Sequence, residues 1–584
     1  MPLRTRPSQA AALALMAALL LTACVPSDVE QPERTAVQTS EPASAQPERA
    51  AVQTSEPDAV LTVIADPNDQ DASIATSRVL FDAAPLVVIA AAGDAQGQEL
   101  SARAAIALGV PLLVAQAETA PEAGAAIASP APLPPSPTTP DADGASALST
   151  ELHRLAATTA LVIGDVARLP EEGAGSSVAI ERVDATEAAV RRAAGATIGQ
   201  PTAPDASGFA AGIAGLAVDA PGDTAAPRAD AVPRPLPAAP LTDTLALAID
   251  DVRQLGAIAT ARAAGVPVHL VPQGSENPQS TASVVDALHA STTTRTLALG
   301  AAFSARPALE WEVRSARGGF QLAGGGQQLF AQRQFVALYG TPSTSALGVL
   351  GEQDAAASIQ RARDVAAPYA ALTDKTVVPM FEIIATVAAR EPGPDGNYSN
   401  ELPVDELRPL VDAAAEAGIY VVIDLQPGRT DFLTQAQQYR SLLELPHVGL
   451  ALDPEWRLAP DEVHLRQIGS VSAAEVNSVV TWLADLTNAQ GLPQKMLVLH
   501  QFRSDMITDR QSLDLSRPEL AMLLHVDGLG SQPEKQATWA ALQRDAPEGL
   551  HWGWKNFYDE DLPMLTPEQT VGGVSPVPDL ITYQ

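Results

Sequence analysis

The chain has 584 residues, a length that accommodates about two to four domains. Its 69 Asp and Glu residues outnumber its 36 Lys and Arg residues, so the formal net charge is −33. A chain this acidic repels the phosphates of nucleic acids and of anionic lipid surfaces, and its composition therefore argues against nucleic acid as a partner.

The N-terminus reads as an export signal. Arg4 and Arg6 form a short basic segment, and the Ala- and Leu-rich stretch Ala10–Leu21 that follows is too short to span a bilayer as a helix. It ends in Leu21-Thr22-Ala23-Cys24, which resembles the lipobox of bacterial lipoproteins. The resemblance implies a signal peptide over residues 1–23 and a lipid anchor at Cys24, on the extracytoplasmic face of the cell membrane. An ordinary signal peptide with a chance cysteine is the alternative.

A disordered tether is predicted over residues 24–75. The segment Gln31–Pro42 is repeated almost verbatim at Gln46–Pro57 and is rich in Pro, Glu, Gln, Ser and Thr. Such a composition buries too little apolar surface to offset the entropy lost on ordering. A stalk that crosses the wall and a neutral duplicated linker both agree with this pattern.

Residues 76–310 contain a diverged duplication of an α/β unit. We assign a first repeat to residues 76–200, with a Pro-rich surface loop at Ala131–Pro135, and a linker with a second repeat to residues 201–310. Short apolar strands that alternate with helices predict βαβ units on a Rossmann-like parallel sheet. The predicted strands are Leu86–Ala90, Gly109–Val114, Ala160–Gly164, Leu245–Ile249, Gly265–Val271 and Thr296–Gly300.

This order of strand, helix and Gly-x-Pro strand resembles the type-2 cell-wall-binding repeats of Gram-positive surface proteins. The resemblance implies that the region binds an anionic polymer of the cell wall. A Rossmann-like core without wall binding is the alternative. Neither first strand is followed by Gly-x-Gly-x-x-Gly, which argues against a dinucleotide cofactor, and we expect no cofactor.

The aromatic composition changes near residue 311, because all six Trp and all seven Tyr lie at or beyond it. Strands and helices alternate from there on and predict a TIM-barrel-like (β/α)8 domain over residues 331–584 that folds by itself. The eighth strand is uncertain, and a doubly wound open sheet is the alternative. The predicted strands are Phe335–Gly340, Val377–Thr386, Tyr420–Leu425, Val448–Glu455, Met496–Phe502, Ala521–Gly528 and Leu550–Lys555.

Six successive apolar strands of this region end in a polar side chain. Because the active sites of such barrels lie at the carboxyl ends of the strands, we expect these residues to form one site. Glu382 paired with an arginine, and Asp424 capping a turn, are structural alternatives. The polar residues are Glu382, Asp424, Asp453 with Glu455, His500, Asp527 and Lys555.

The most informative local motif is Gly449-Leu450-Ala451-Leu452-Asp453-Pro454-Glu455. Because side chains alternate along a strand, we expect Asp453 and Glu455 to share one face, where two close carboxyl groups push their pKa values apart. The motif resembles the Asp-x-Glu on the fourth strand of barrel chitinases and some barrel lysozymes. By that resemblance Glu455 is the acid and Asp453 orients the substrate. From its position at a neighbouring strand end, we expect Glu382 or Asp527 to complete the catalytic cleft.

The C-terminal segment combines aromatic and polar side chains, as sugar-binding clefts do. Trp552 or Trp554 would stack on a sugar face, although a Trp that packs inside the fold is the alternative. The predicted substrate-binding residues are Asp424, His500, Trp552, Trp554, Lys555 and Tyr558.

The leading hypothesis is therefore a lipid-anchored envelope protein that binds the wall and acts on polysaccharide as a glycoside hydrolase. A non-catalytic glycan-binding surface protein is the first alternative. A hydrolase with oxygen-rich metal ligands is the second, ranked last because the sequence has no His-Glu-x-x-His or His-x-His, and we predict no metal. The sequence does not specify an oligomeric state.

The anchor is testable by replacing the thiol. Cys24→Ser should abolish lipidation, because a hydroxyl cannot form the thioether. In phase separation the wild-type protein should enter the detergent phase and the variant should stay in the aqueous phase. Equal partitioning of both proteins would rule out an anchor at Cys24.

Overall fold

The computed structural model describes residues 49–115, 141–167, 169, 171, 176–200, 208–216, 231–274 and 276–584. The predicted signal peptide, Cys24 and the Pro-rich loop Ala131–Pro135 lie outside the described residues. Among the described residues, no helix is long and apolar enough to cross a membrane.

The N-terminal region contains two parallel four-stranded sheets. Helix ends follow local signals: Asp94 caps the helix Ala95–Leu108, and Gly109 ends it in the left-handed conformation. The elements in chain order are β1 Gln53–Thr54, β2 Leu61–Ile64, α1 Asp69–Leu80, β3 Phe81–Ala83, β4 Leu86–Ala91, α2 Ala95–Leu108, β5 Leu112–Ala115, α3 Asp141–Arg154, β6 Thr159–Ile163, β7 Ala179–Val183, α4 Glu187–Ala194, α5 Phe209–Ala214, β8 Thr244–Ile249, α6 Leu255–Ala263, β9 Val268–Val271, α7 Ala282–Ala290, β10 Arg295–Leu299, α8 Ala301–Ser304 and α9 Leu309–Arg317.

The two sheets have equivalent strand orders. The first runs β5-β4-β6-β7 and the second β9-β8-β10-β2. The fourth strand of the second sheet is therefore β2, which precedes the whole first unit in the chain. The two units share one apolar core, and Thr260 of α6 satisfies the backbone N–H and carbonyl of Leu112 in β5 at 3.1 and 2.9 Å.

The prediction of a disordered tether over residues 24–75 is wrong for the last part of that segment. Strand β2 and the start of α1 lie within residues 24–75, and Glu56 accepts hydrogen bonds from the backbone N–H of Asp243 and the hydroxyl of Thr244. The apolar run Val60–Ile64 forms this strand, although the segment as a whole has a polar composition. Residues 24–48 lie outside the described part of the chain.

Eight parallel strands form a closed barrel in the C-terminal region, which confirms the predicted (β/α)8 class and excludes the open sheet. Strand β11 closes the ring by pairing with both β12 and the last strand, β21. The barrel strands are β11 Arg333–Gly340, β12 Thr376–Ala388, β14 Tyr420–Leu425, β15 Val448–Leu452, β17 Lys495–His500, β19 Leu520–Val526, β20 His551–Asn556 and β21 Leu580–Tyr583, with the short strands β13 Ser399–Glu401, β16 Val471–Ser472 and β18 Ile507–Thr508 outside the ring.

Helices surround the barrel, and several begin at side-chain caps such as Asp354 before α10 and Ser472 before α14. Alternate residues of each strand point to these helices and to the barrel interior, which gives two separate apolar clusters. The helices are α10 Ala355–Ala366, α11 Val404–Glu416, α12 Phe432–Gln438, α13 Arg440–Leu443, α14 Ala473–Ala489, α15 Gln532–Gln543 and α16 Pro567–Gly573.

The amino-terminal end of the barrel is filled from outside the predicted domain boundary. Leu322, Leu329 and Phe330 belong to the apolar cluster of the barrel interior. The buried guanidinium of Arg333 donates to the carbonyls of Ala323, Gln328 and Gly325, which fixes the segment that carries them. Residue 331 therefore lies inside a packed unit, and residues 49–584 group as one compact unit by their contacts.

Truncating one of the side chains that fill the amino-terminal end of the barrel should destabilise the protein. Leu329→Ala truncates a fully buried side chain and should lower the free energy of unfolding by about 2–5 kcal/mol in a denaturant titration. Leu529→Ala is the matched control, because Leu529 is 58% exposed and its truncation should change that energy by less than about 0.5 kcal/mol. Equal effects of the two substitutions would show that the segment is not part of the barrel core.

Candidate functional site

At the carboxyl end of every barrel strand, a polar side chain on the strand or directly after it points into the interior. Apolar side chains fill the interior below them, and all eight polar side chains are buried. Five of the sequence-predicted residues are thereby brought together, and Asp527, directly after β19, joins them. In strand order the eight are Tyr339, Glu382, Asp424, Asp453, His500, His525, Lys555 and Thr582.

His500 links two carboxylates at the centre of this layer. Its Nε2 lies 2.7 Å from Glu382 Oε1, and its Nδ1 lies 2.9 Å from Asp527 Oδ2. Burial favours the neutral imidazole, but the charges of Glu382 and Asp424 outweigh it and raise the pKa of His500 well above its usual value. Glu382 thus pairs with histidine rather than with arginine.

The same histidine keeps both of its partners ionised. Burial opposes ionisation of Glu382, but the charges of His500 and His525 outweigh burial and lower the pKa of Glu382. Burial likewise opposes ionisation of Asp527, yet the hydrogen bond from His500 lowers the pKa of Asp527. The centre of the layer therefore holds a cation between two carboxylates.

His525 lies on the other side of Glu382. Its Nε2 is 2.9 Å from the hydroxyl of Thr582, and its Nδ1 is 3.7 Å from Glu382 Oε2, beyond hydrogen-bond distance. Burial lowers the pKa of His525, so this ring is the neutral one of the two. Glu382, His500 and His525 have ligand atoms that all lie within 4.8 Å of one another, an arrangement that can hold a metal ion.

Asp424 is fixed on one oxygen only. Its Oδ2 accepts a hydrogen bond of 2.8 Å from Tyr339, whose ring lies 3.6 Å from the ammonium group of Lys555. Its Oδ1 has no hydrogen-bond partner among the described residues and lies 3.9 Å from His500 Nε2. Burial raises the pKa of Asp424, and the predicted alternative role as a turn cap is wrong.

Asp453 and Glu455 are neighbours, but not on one strand face. Strand β15 ends at Leu452, and a 3-10 turn follows over Pro454–Trp456. Asp453 points inward and accepts a hydrogen bond of 3.1 Å from the backbone N–H of Glu455. The strand predicted over Val448–Glu455 is therefore too long, because Asp453 caps a turn with Pro454 at its first position.

Asp453 and Glu455 differ in exposure and in the groups that raise their pKa values. Asp453 is almost fully buried, and burial together with the nearby carboxylates raises the pKa of Asp453 well above its usual value. Glu455 is half-buried, and burial together with the charge of Asp527 raises the pKa of Glu455 to about 7. Near neutral pH Glu455 can thus carry a proton beside the Asp527 carboxylate.

The two predicted tryptophans do not lie in the barrel interior. On β20 the residues Gly553 and Lys555 point inward, whereas Trp552 and Trp554 point to the helix layer. Both pack against Trp539 of α15, with ring centroids 5.8 and 5.6 Å away. The prediction of sugar stacking by Trp552 and Trp554 is therefore wrong.

Tyr558 lies outside the buried layer. It follows β20, is partly exposed, and contacts the guanidinium of Arg361 and the ring of Tyr583. An aromatic group that the sequence analysis missed, Trp456, directly follows Glu455. It is half-buried and lies in an edge contact with His464, at 5.4 Å between ring centroids.

Three residues of the layer were also missed: Tyr339, His525 and Thr582. The signal that finds them is strand alternation, since each lies two residues after an inward apolar residue, as His525 follows Leu523. Tyr339 and His525 lie inside apolar runs that resemble core, and Thr582 belongs to the short eighth strand that the sequence left uncertain.

Comparison with known proteins gives little beyond this geometry. No family model and no curated protein matches the chain. Among solved structures, Cwp6 from Clostridium difficile is similar at a TM-score of 0.27 and 12% identity, over 71% of this chain. The match spans 65% of the Cwp6 chain, just under two thirds. At this identity and TM-score the likeness assigns neither an activity nor a partner.

The raised pKa of Glu455 predicts a pH-dependent stability difference. From the usual value near 4.5 to about 7, the folded state holds a proton that the unfolded chain releases, so this group's stabilising contribution falls as pH rises through that range. A glutamine does not titrate. The melting temperature of Glu455→Gln relative to the wild type should therefore increase from pH 4.5 to pH 7 and stay constant above.

Thermal melts between pH 4 and pH 9 measure this difference without a substrate. Glu548→Gln is the control, because it makes the same substitution at an exposed glutamate that is distant from Glu455 in the sequence. A flat difference for Glu455→Gln across the range would show that Glu455 is not held in its acid form.

Proposed function

We propose that the chain is a lipid-anchored cell-envelope protein whose barrel hydrolyses wall or extracellular polysaccharide by acid–base catalysis. The observation that carries this proposal is that half-buried Glu455, with its pKa near 7, feels the charge of the carboxylate Asp527. Two carboxyl groups with separated pKa values supply the proton donor and the anion that glycoside hydrolysis needs.

In the proposed mechanism Glu455 donates its proton to the oxygen of the leaving sugar. Asp527 stays ionised through its hydrogen bond with His500 and stabilises the positive charge that develops on the sugar ring, or acts on a water or on the sugar itself. Asp453 acts as a positioning residue, because it holds the backbone N–H of Glu455. Retention and inversion of the sugar configuration are both compatible with this pair.

Substrate contacts are proposed at the rim of the barrel. Asp424, His500 and Lys555, predicted as substrate-binding, are buried in the layer and support the carboxyl groups from below. We propose that Trp456, rather than Trp552 or Trp554, stacks on a sugar ring, because it is adjacent to the proton donor and half-buried.

The two N-terminal sheets are proposed to bind a polymer of the cell wall. Their equivalent strand orders support a duplicated module, and a duplicated module suits a repetitive ligand. A non-catalytic glycan-binding protein remains the second candidate, because the polar layer is nearly closed to solvent.

The proposal is tested with the full chain on purified peptidoglycan and a panel of polysaccharides, by measuring released fragments. Glu455→Gln should slow turnover by about 10²-fold or more, the usual scale of general acid catalysis. The wild-type rate should fall as pH rises through about 7, because Glu455 then loses its proton. Trp456→Ala should raise KM more than it lowers kcat.

Glu548→Gln serves as the control and should keep wild-type kinetics. Turnover of Glu455→Gln close to that of the wild type would remove Glu455 from the mechanism. Retention of a glycan by wild-type protein without fragment release would establish the binding-protein alternative.

A further inference from the structure

A second set of groups lies deeper in the barrel than Glu455 and is not used by the proposed acid–base chemistry. It consists of Glu382, His500 and His525, with Asp424 beside them. All four side chains are fully buried. Two atoms at this point, Asp424 Oδ1 and His525 Nδ1, have no hydrogen-bond partner among the described residues. Buried polar atoms without partners are costly, so both need an explanation.

The hydrogen bonds around His525 determine which atom is free. Thr582 lies 2.9 Å from Nε2 of the ring and 3.5 Å from Glu382 Oε2. When the threonine hydroxyl donates to the carboxylate, it accepts from Nε2–H, and Nδ1 then carries a lone pair. This lone pair faces Glu382 Oε2 at 3.7 Å with no proton between them.

The second contact of the same kind joins His500 and Asp424. Nε2 of His500 lies 3.9 Å from Asp424 Oδ1. Two ligands about 2.1 Å from one metal ion are separated by roughly 3–4 Å, depending on the angle between them. The separations of 3.7 and 3.9 Å match that range. The 2.7 Å contact between His500 and Glu382 would need to open by a few tenths of an ångström.

Both histidines are also oriented as metal ligands are. The ring nitrogen of His500 that faces away from the cluster is bound by Asp527, and that of His525 by Thr582. Such outer hydrogen bonds fix the orientation of each ring. Metal binding would displace the proton from Nε2 of His500, so that the lone pair freed there and the lone pair on Nδ1 of His525 both point at the ion.

We propose that Glu382, His500, His525 and Asp424 bind one divalent first-row transition-metal ion inside the barrel. Two imidazoles with two carboxylates favour zinc, manganese or iron over magnesium and calcium, which prefer oxygen ligands alone. The proposal does not rest on glycan hydrolysis, because binding is measured without a substrate. It reverses the sequence-based expectation of no metal, which lacked His525.

The experiment uses the full chain, stripped with a chelator and dialysed against Zn²⁺ or Mn²⁺, followed by elemental analysis and a thermal melt. We expect one equivalent of Zn²⁺ or Mn²⁺ per chain and a melting temperature raised by several degrees, with no such effect of Mg²⁺. His525→Gln and Glu382→Gln should weaken binding by about 10²-fold or more. Asp527→Asn should weaken it by about 10–100-fold, as loss of an outer partner does.

His153→Gln is the matched control, because it removes an exposed histidine from the N-terminal region and should bind metal like the wild type. Asp424→Asn is the second test in case the other variants misfold, because its amide oxygen can still accept the hydrogen bond from Tyr339. We expect that variant to fold and to bind about tenfold more weakly. The proposal is overturned if no equivalent is retained at micromolar free Zn²⁺ or Mn²⁺, or if Asp424→Asn and His525→Gln bind as the wild type does.

Discussion

The structure of the barrel depends on how it accommodates an ionised carboxylate at zero exposure. Glu382 lies within β12 and cannot reach solvent, so its charge must be met by groups on neighbouring strands. His500 supplies that contact from β17, His525 flanks it from β19, and Thr582 approaches from β21. Closure of the eight-stranded ring is what brings these distant parts of the chain within a few ångströms of one carboxylate.

The same constraint orders the remaining polar side chains. His500 contacts Glu382 with one nitrogen and Asp527 with the other. Burial, together with the charge of Asp527, in turn raises the pKa of Glu455 at the rim. A change at Glu382 would therefore affect Glu455 through two contacts, from Glu382 to His500 and from His500 to Asp527. Because removal of one partner leaves a buried charge without compensation, the set behaves as a unit rather than as separate pairs.

Much of the barrel was predictable because strand alternation survives in the sequence. Strand β14 was predicted with its observed bounds, and the inward positions of Glu382, Asp424 and His500 follow from the same pattern. The errors arose where local chemistry overrides the pattern. Asp453 and Pro454 end β15 at Leu452, three residues before Glu455. The strand β2 was not predicted because the composition around it is polar. The aromatic composition of the segment suggested sugar binding by Trp552 and Trp554, but both alternate with inward-facing Gly553 and therefore point to the helices.

The depth of each carboxyl group separates the proposed acid–base site from the proposed metal site. Glu455 is half-buried after a turn, so its carboxyl group can exchange a proton with solvent. Glu382 and Asp424 are fully buried on their strands, at the depth of the proposed metal site and out of reach of a polysaccharide. Asp527 lies between these levels and contacts His500 directly. A metal ion below would leave that contact in place, since neutral His500 still donates from Nδ1 while Nε2 binds the ion, so the rim acid and the deeper cluster can coexist in one barrel.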